Sequence, residues 1–398
     1  MRSTRRRALW ILATLTTLAA ACGGAPRGAC SQAQPLGSVC GFENPEDVAF
    51  ASAAKLLVVS QFRILGRGGA LAGLSPGAST PRPLWPAPGG TSEPDRESGD
   101  PACVPPDATI FHPHGIFVAA SGDLYVVNHG GRDSIEIFAI RGSGDQATLA
   151  WRGCMVLPAG TSGNDVAVGG DGTVVVSNYA SAVDSLLDNV KIGVGWMTGD
   201  VLLWRRGHGW SHVPGTAASA ANGVALSPDG KTLYYAETGG GRFVRIGLDG
   251  TGRAELDVPG APDNLSWTSR GTLYLASHTS NVAFLGCLLG AACRSPWVLL
   301  EIDPESMHAD DVLTHDGSVV GAVASAEQVG ALVYLGAVFG DRIGAWRAAE
   351  DTTGSVWSSV AGLPPGRVLA EQAFAPSRTS GELSGAAAAS LRRGAQQS

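Results

Sequence analysis

The chain has 398 residues, with 28 Lys+Arg against 35 Asp+Glu and a net charge of −7; 44% is hydrophobic and only 16% charged. Gly and Pro make about a fifth of it, below the roughly 25–30% that marks low-complexity disorder. A chain so composed can bury a large core, and mild acidity with no basic cluster past the N-terminus argues against nucleic acid as a partner.

In chain order, Met1–Arg7 is basic and Ala8–Ala21 is apolar, too short for the roughly 20 residues of a spanning helix. Together they read as a signal peptide over residues 1–21, so the protein is expected to be exported. The run Leu18-Ala-Ala-Ala-Cys22 resembles the lipobox of bacterial lipoproteins, although Ala19 stands where Leu is usual. That resemblance implies an acylated Cys22, a membrane anchor and a place in the bacterial cell envelope. Residues 22–40 read as a tether, 41–349 as the folded body and 350–398 as a weakly ordered tail rich in Ala, Ser, Gly and Arg. The Pro/Gly/Ser-rich stretch 79–107 reads as a long loop.

Six cysteines remain: Cys30, Cys40, Cys103, Cys154, Cys287 and Cys293. An even number in an exported chain points to disulfides, and six cysteines allow 15 pairings. Nearness in sequence favours Cys30–Cys40 and Cys287–Cys293, which leaves Cys103–Cys154. None sits in a CxxC motif, so zinc binding and thiol redox chemistry are disfavoured.

The body is built from one repeated unit: a polar or Gly-containing corner, a short apolar strand, a turn and a second apolar strand. Aligned on Val48, Ile116, Val166, Val224, Leu265 and Ala322, the six copies step by 68, 50, 58, 41 and 57 residues. Their mean of about 55 lies somewhat above the roughly 40–50 of common propeller repeats. Ser121-Gly-Asp123, Gly170-Asp-Gly172 and Ser227-Pro-Asp-Gly-Lys231 have the residues of hairpin turns. No long segment of 3.6-residue period competes. The expectation is all-β: a six-bladed β-propeller, whose radial closure leaves only short, protected edges.

In a propeller the corner before each inner strand faces the central channel. The corners here hold Glu46-Asp47, His112 and His114, Asn164-Asp165, Asn222, and Asp263-Asn264. Asn, Asp and Gly are also ordinary turn residues, because Asx side chains bond their own backbone. Acid or amide oxygens recurring at one channel-facing corner, without Cys, instead suit a hard cation, Ca²⁺ ahead of Mg²⁺.

With these residues in hand, the chain resembles the serum paraoxonase/arylesterase family from about Glu46 to Ala345. The ordered motifs are Glu46-Asp47, Pro113-His-Gly-Ile116, Val126-Val-Asn-His129, Asn164-Asp165, Ala221-Asn-Gly with Ser227-Pro-Asp-Gly-Lys231, Asp263-Asn264 and Gly336-Ala-Val-Phe339. The resemblance implies a six-bladed propeller with two central calcium ions that hydrolyses lactones and aryl esters. It assigns Glu46, Asn164, Asn222, Asp263 and Asn264 to a catalytic calcium. A structural calcium would take Asp47, Asp165 and the main-chain carbonyl of Ile116, while His114 would be the catalytic histidine and His129 its partner. Two departures stand out. No Cys follows Cys293 to close the ring as in the family, so closure is expected to rest on strand pairing, and Ser277 stands where a free Cys is usual.

The chemistry expected is carbonyl polarisation by calcium with His114 taking a proton from water. His112 and His278 are further pocket candidates. No Gly-x-Ser-x-Gly elbow or His-Glu-x-x-His helix is present, which disfavours serine-hydrolase and zincin mechanisms. Two alternatives are an SMP-30/gluconolactonase-like sugar lactonase on the same six blades and a non-catalytic lipoprotein whose propeller presents a binding face.

Overall fold

Runs such as Val174–Ala180 and Thr232–Glu237 put β-branched and aromatic residues between Gly- and Asp-containing turns, which favours short strands over helices. The turns adopt the conformations those residues permit: Gly122, Gly172 and Gly230 have φ of 86°, 82° and 70°. The computed structural model describes residues 30 and 35–348, apart from 65–67, 88–89, 96, 183–185 and 290–292. The expected signal peptide, Cys22 and the tail from residue 350 lie outside the described residues.

The strands form six sheets, five of four strands and one of five. The innermost strands are Pro45–Ala51, Pro113–Val118, Ser162–Val168, Ala221–Leu226, Ala261–Trp267 and Val323–Val329. Each packs against the next and the sixth against the first, so the sheets are the blades of a closed six-bladed β-propeller. Apolar clusters fill the gaps between blades. One joins Ala49, Val58 and Leu71 of the first blade to Ile116, Leu124, Phe138 and Trp151 of the second.

The ring closes by strand pairing. Leu36–Cys40, within the stretch read as a tether, is the outermost strand of the sixth blade and pairs antiparallel with Arg342–Arg347, from Leu36↔Trp346 to Cys40↔Arg342. The stretch read as a long loop likewise contains Arg82–Trp85, the outer strand of the first blade. The disulfides are Cys30–Cys40, Cys103–Cys154 and Cys287–Cys293, the pairs that sequence proximity favours. They fit an oxidising, extracellular or periplasmic setting. Among the described residues no helix is long and apolar enough to cross a membrane.

The sixth repeat needs a correction. Ala322 has φ +52°, as Ala220 has +60° at the corner of the fourth blade, so Ala322 is a corner residue. Ala326 pairs with Leu335 as Val224 pairs with Tyr235, and is therefore the equivalent of the aligned Val224. The Ala/Val/Gly composition of this corner offers no polar residue to fix the alignment.

Two helices interrupt the pattern: α1, Leu186–Gly193, and α2, Asn281–Leu288. They occupy the links between the second and third strands of the third and fifth blades.

Candidate functional site

In a regular strand, neighbouring side chains point to opposite faces. All six innermost strands break that rule near their start. Register shifts fall at Pro45/Asp47, Pro113/Ile116, Gly163/Val166, Ala221/Val224, Pro262/Leu265 and Val323/Ser325. A bulge re-aims the residues it releases from the ladder, so two consecutive side chains can serve the channel. Counting from the shift gives two rings. The first is Glu46, His114, Asn164, Asn222, Asp263 and Ala324; the second is Asp47, Gly115, Asp165, Gly223, Asn264 and Ser325. The first five members of the first ring are buried, as are Asp47, Asp165, Asn264 and Ser325 of the second.

The glycines of the second ring are required by close approach. A Cβ on Gly115 would lie 2.5 Å from the Asn164 carbonyl oxygen and 2.6 Å from Asp165 Cα, and one on Gly223 would lie 2.5 Å from Asn264 Cα. Neighbouring inner strands thus touch backbone to backbone. Asp47 and Asp165 stitch two further junctions, first to second blade and third to fourth. Asp47 Oδ2 accepts from Ile116 N–H of the next blade at 2.7 Å and Oδ1 from Val48 N–H at 2.8 Å. Asp165 repeats this with Val224 N–H at 2.8 Å and Val166 N–H at 2.7 Å.

Above these clasps lies a set of oxygens without protein partners. Asn264 Nδ2 donates to Glu46 Oε1 at 3.0 Å, and Asn222 Nδ2 to Thr238 Oγ1 at 3.0 Å, with Thr238 in turn donating to the Pro262 carbonyl. Both amides are thereby oriented, and their carbonyl oxygens are left over. Glu46 Oε2, Asn164 Oδ1, Asn222 Oδ1 and Asn264 Oδ1 are buried and unpartnered.

The electrostatics match. Burial, then the charges of Asp47, Asp263 and Asp165, pushes the Glu46 carboxyl well above its usual range. Burial likewise raises Asp47 to about 7, and raises Asp165 strongly, with Asp47 as its next largest cause. The ion pairs of Glu46 and Asp263 among the described residues are to histidine, not to Lys or Arg. Buried charges that lack a cationic partner are those that bind metal or protons. No group of three or more His, Cys, Asp or Glu among the described residues is placed to hold a metal by itself; a cation here must draw on the asparagines. All-oxygen donors of mixed charge fit calcium and not zinc. Each Asp47 and Asp165 oxygen accepts one backbone N–H and keeps a second lone pair.

The histidines lie beside the oxygen set. His114 Nε2 is 3.9 Å from Glu46 Oε1, and its Nδ1 is 3.1 Å from His129 Nε2. His129 Nδ1 is 2.7 Å from Asp133 Oδ1. Phe62 stacks on His114 with ring centres 3.8 Å apart. Burial, then His129, holds His114 well below the usual histidine range, so it is neutral. His112 does not join the set: its Nε2 bonds the Arg63 carbonyl at 2.9 Å, and burial lowers it to about 4. His278 does reach it, with Nε2 2.8 Å from Asp263 Oδ2 and its ring against Phe284. Sequence reasoning missed Asp133, Thr238 and Phe62. Asp133, four residues after His129 in a Gly-Gly-Arg-Asp turn, carried the one usable signal.

Comparison with known proteins bears on the same blades. Residues 96–282 match the SMP-30/Gluconolactonase/LRE-like region. That stretch runs from just after Thr91–Ser92, a strand of the second blade, to the first residues of α2 in the fifth, and holds His114, His129, Asn164, Asn222 and Asp263. A 94-residue segment is 33% identical to the Arabidopsis thaliana protein strictosidine synthase-like 10, and spans 22% of this chain and 25% of that one. Among solved structures, a luciferin-regenerating enzyme aligns over 78% of this chain and 93% of its own, at 13% identity and a TM-score of 0.50. A gluconolactonase from Xanthomonas campestris aligns over 79% and 89% at 18% identity, with a TM-score of 0.49. At such identities the likeness concerns the fold.

Proposed function

We propose that the protein is a calcium-dependent hydrolase of lactones and aryl esters, a carboxylic ester hydrolase working at the propeller hub. The observation that carries this reading is the cluster of four unpartnered buried oxygens beside His114. Glu46, Asn164, Asn222, Asp263 and Asn264 would hold the catalytic calcium; Asp47, Asp165 and the Ile116 carbonyl would hold a structural one. When bound, calcium supplies Lewis-acid polarisation of the carbonyl and a counter-charge for the oxyanion.

The residues of the chain account for the proton. The Asp133 carboxylate can only accept, so His129 donates Nδ1–H to it and keeps a lone pair on Nε2. His114 Nδ1–H then donates to His129, which leaves the lone pair of His114 Nε2 directed toward the hub. A neutral imidazole in that tautomer is a general base. It takes the proton of an attacking water, and the imidazolium so formed is stabilised through His129 by Asp133. Glu46 and His278 border the same space.

A second reading, a sugar lactonase, draws on the SMP-30/Gluconolactonase/LRE-like match over residues 96–282. One assay tests both. Purified protein is given γ- and δ-lactones, gluconolactone and phenyl acetate, with calcium or with EGTA. Chelator-sensitive turnover of simple lactones and phenyl acetate supports the first reading, and turnover of gluconolactone alone the second. Equal rates in calcium and EGTA would contradict the metal's role in either.

A further inference from the structure

The carboxylate that steadies His129 stands on a turn with little rigidity of its own. Asp133 follows Gly130-Gly131-Arg132, and its side chain is 39% exposed. Gly131 has φ of +76°. Glycines give such a turn wide conformational freedom, and an exposed carboxylate gains little from a single ion pair. Yet Asp133 Oδ1 lies 2.7 Å from His129 Nδ1. The turn is therefore held from outside.

Asn128 holds it. This residue ends the second blade's second strand, Asp123–Asn128, and is fully buried. Its Oδ1 accepts the N–H groups of Gly130 and His112, each at 3.0 Å. Its Nδ2 donates to the Gly130 carbonyl at 3.1 Å and the Arg132 carbonyl at 3.2 Å. One amide thus grips the turn at its start and again just before Asp133, whose own carbonyl accepts Leu157 N–H at 3.0 Å. Such a grip needs two donors and an acceptor on one short side chain. Asn178, at the same register in the third blade, likewise accepts a corner N–H, from Ser162 at 3.1 Å, but gives its Nδ2 to the Asp200 carboxylate. Of the two, the bonds to turn carbonyls belong to the blade that carries the histidines.

Arg132 fastens the outer side of the turn. Its Nη2 donates to the Val104 carbonyl at 2.7 Å and to Glu136 Oε1 at 2.8 Å. Glu136 is itself fully buried and accepts Ser134 Oγ–H at 2.7 Å and Trp151 Nε1–H at 2.8 Å, so the guanidinium is anchored to the core. Gly130 presses on the preceding loop: a Cβ there would collide with the Ile110 carbonyl oxygen.

We propose that Asn128, backed by Arg132, is the positioning residue that selects the tautomer of the histidine pair. It acts through Asp133 and His129, and its role rests on the reading of these groups and His114 as a proton relay. With Asp133 in place, His129 carries its proton on Nδ1, and His114 presents a lone pair at Nε2. With the turn released, His129 can carry its proton on Nε2 and donate it to His114 Nδ1. His114 then holds its own proton on Nε2, where a base needs the lone pair.

The test is nitrogen NMR of the full chain with isotope-labelled histidine, which reads both tautomers without substrate, alongside kcat and KM for phenyl acetate. Wild type should show Nδ1–H on both rings. Asn128→Asp keeps the shape but loses both donors and sets a carboxylate against two carbonyls. It should shift His129 toward Nε2–H and lower kcat about 10–100-fold, with KM nearly unchanged. Combining it with Asp133→Asn should cost little more than Asp133→Asn alone, because both act through one bond. Arg132→Lys keeps the charge that faces Glu136 but loses the fork that reaches Val104. It should show the same shift to a smaller degree, and it decides the matter if Asn128→Asp does not fold. Wild-type tautomers in the folded variants, or losses that multiply in the double variant, would overturn the proposal. Should wild type turn over no ester, the proposed function falls, and the tautomers alone still decide the role of Asn128.

Discussion

Asn264 and Glu46, 218 residues apart in sequence, meet at 3.0 Å across the hub. The bond reaches from the fifth blade to the first, past a sixth blade whose equivalent position is Ala324. It fixes the Asn264 amide and one Glu46 oxygen, and leaves the remaining oxygen of each free and buried. Four blades of the six, the first, third, fourth and fifth, thereby furnish the oxygen donors, and the second furnishes His114. The sixth blade helps through backbone contact: Ser325 Oγ donates to the Glu46 carbonyl at 2.9 Å.

Asp165→Ala should lower stability as well as activity. The substitution strands two buried N–H groups, Val166 and Val224, each worth about 1–3 kcal/mol when left unsatisfied. A loss of about 2–5 kcal/mol in chemical unfolding is expected. A wild-type unfolding midpoint would contradict the clasp.

Gly115→Ala isolates strand approach from charge. A Cβ 2.5 Å from a backbone oxygen forces the second and third blades apart, and we expect a loss of about 2 kcal/mol or more. Gly122→Ala, where the added Cβ meets nothing but φ is +86°, is expected to cost about 1 kcal/mol. Equal melting temperatures for Gly115→Ala and wild type would show that the inner strands are not packed this tightly.

The metal-free protein should lose stability as pH rises. Burial raises Asp47 to about 7 and pushes Glu46 and Asp165 in the same direction. A carboxyl raised on folding favours the protonated folded state. Its contribution is full below its unfolded value of about 4 and is lost as pH climbs through the folded value. In EGTA the melting temperature should therefore fall between about pH 4 and 7. Calcium, which needs the ionised carboxylates, should flatten or reverse the slope. A chelated protein equally stable at both ends would refute this.

His114→Gln should abolish turnover while leaving calcium-dependent thermal stabilisation in place. Asp133→Asn acts at one remove, because it offers His129 an amide that can present either a donor or an acceptor. Turnover should drop about 10–100-fold, and the acid limb of the pH–rate profile should move. A uniform loss with an unmoved profile would mean that Asp133 supports only the turn.

Much of this was legible in the chain because polar corners recur at one place in five of the six repeats. Pro45, Pro113 and Pro262 stand at or next to the start of innermost strands, and Glu46, Asn164, Asn222 and Asp263 share one register. Ala322 gave no such mark, and the sixth repeat slips by four residues. The bulges leave no periodic trace, since each is a local release from pairing. Leu36–Cys40 was hidden because its partner lies some 300 residues away. The two helices were hidden because each is only eight residues long, and α2, apolar on nearly every side, has no helical periodicity to read. His112 and His114 share an extended segment, yet a bond to the Arg63 carbonyl draws only His112 away.

Calorimetric titration of calcium into EGTA-stripped, dialysed protein probes the hub most directly. Wild type should bind calcium, and Glu46→Gln and Asp263→Asn should each weaken that binding at least tenfold, about 1.4 kcal/mol. Heat-silent wild type, or variants that bind as tightly as wild type, would mean that these oxygens do not surround a cation.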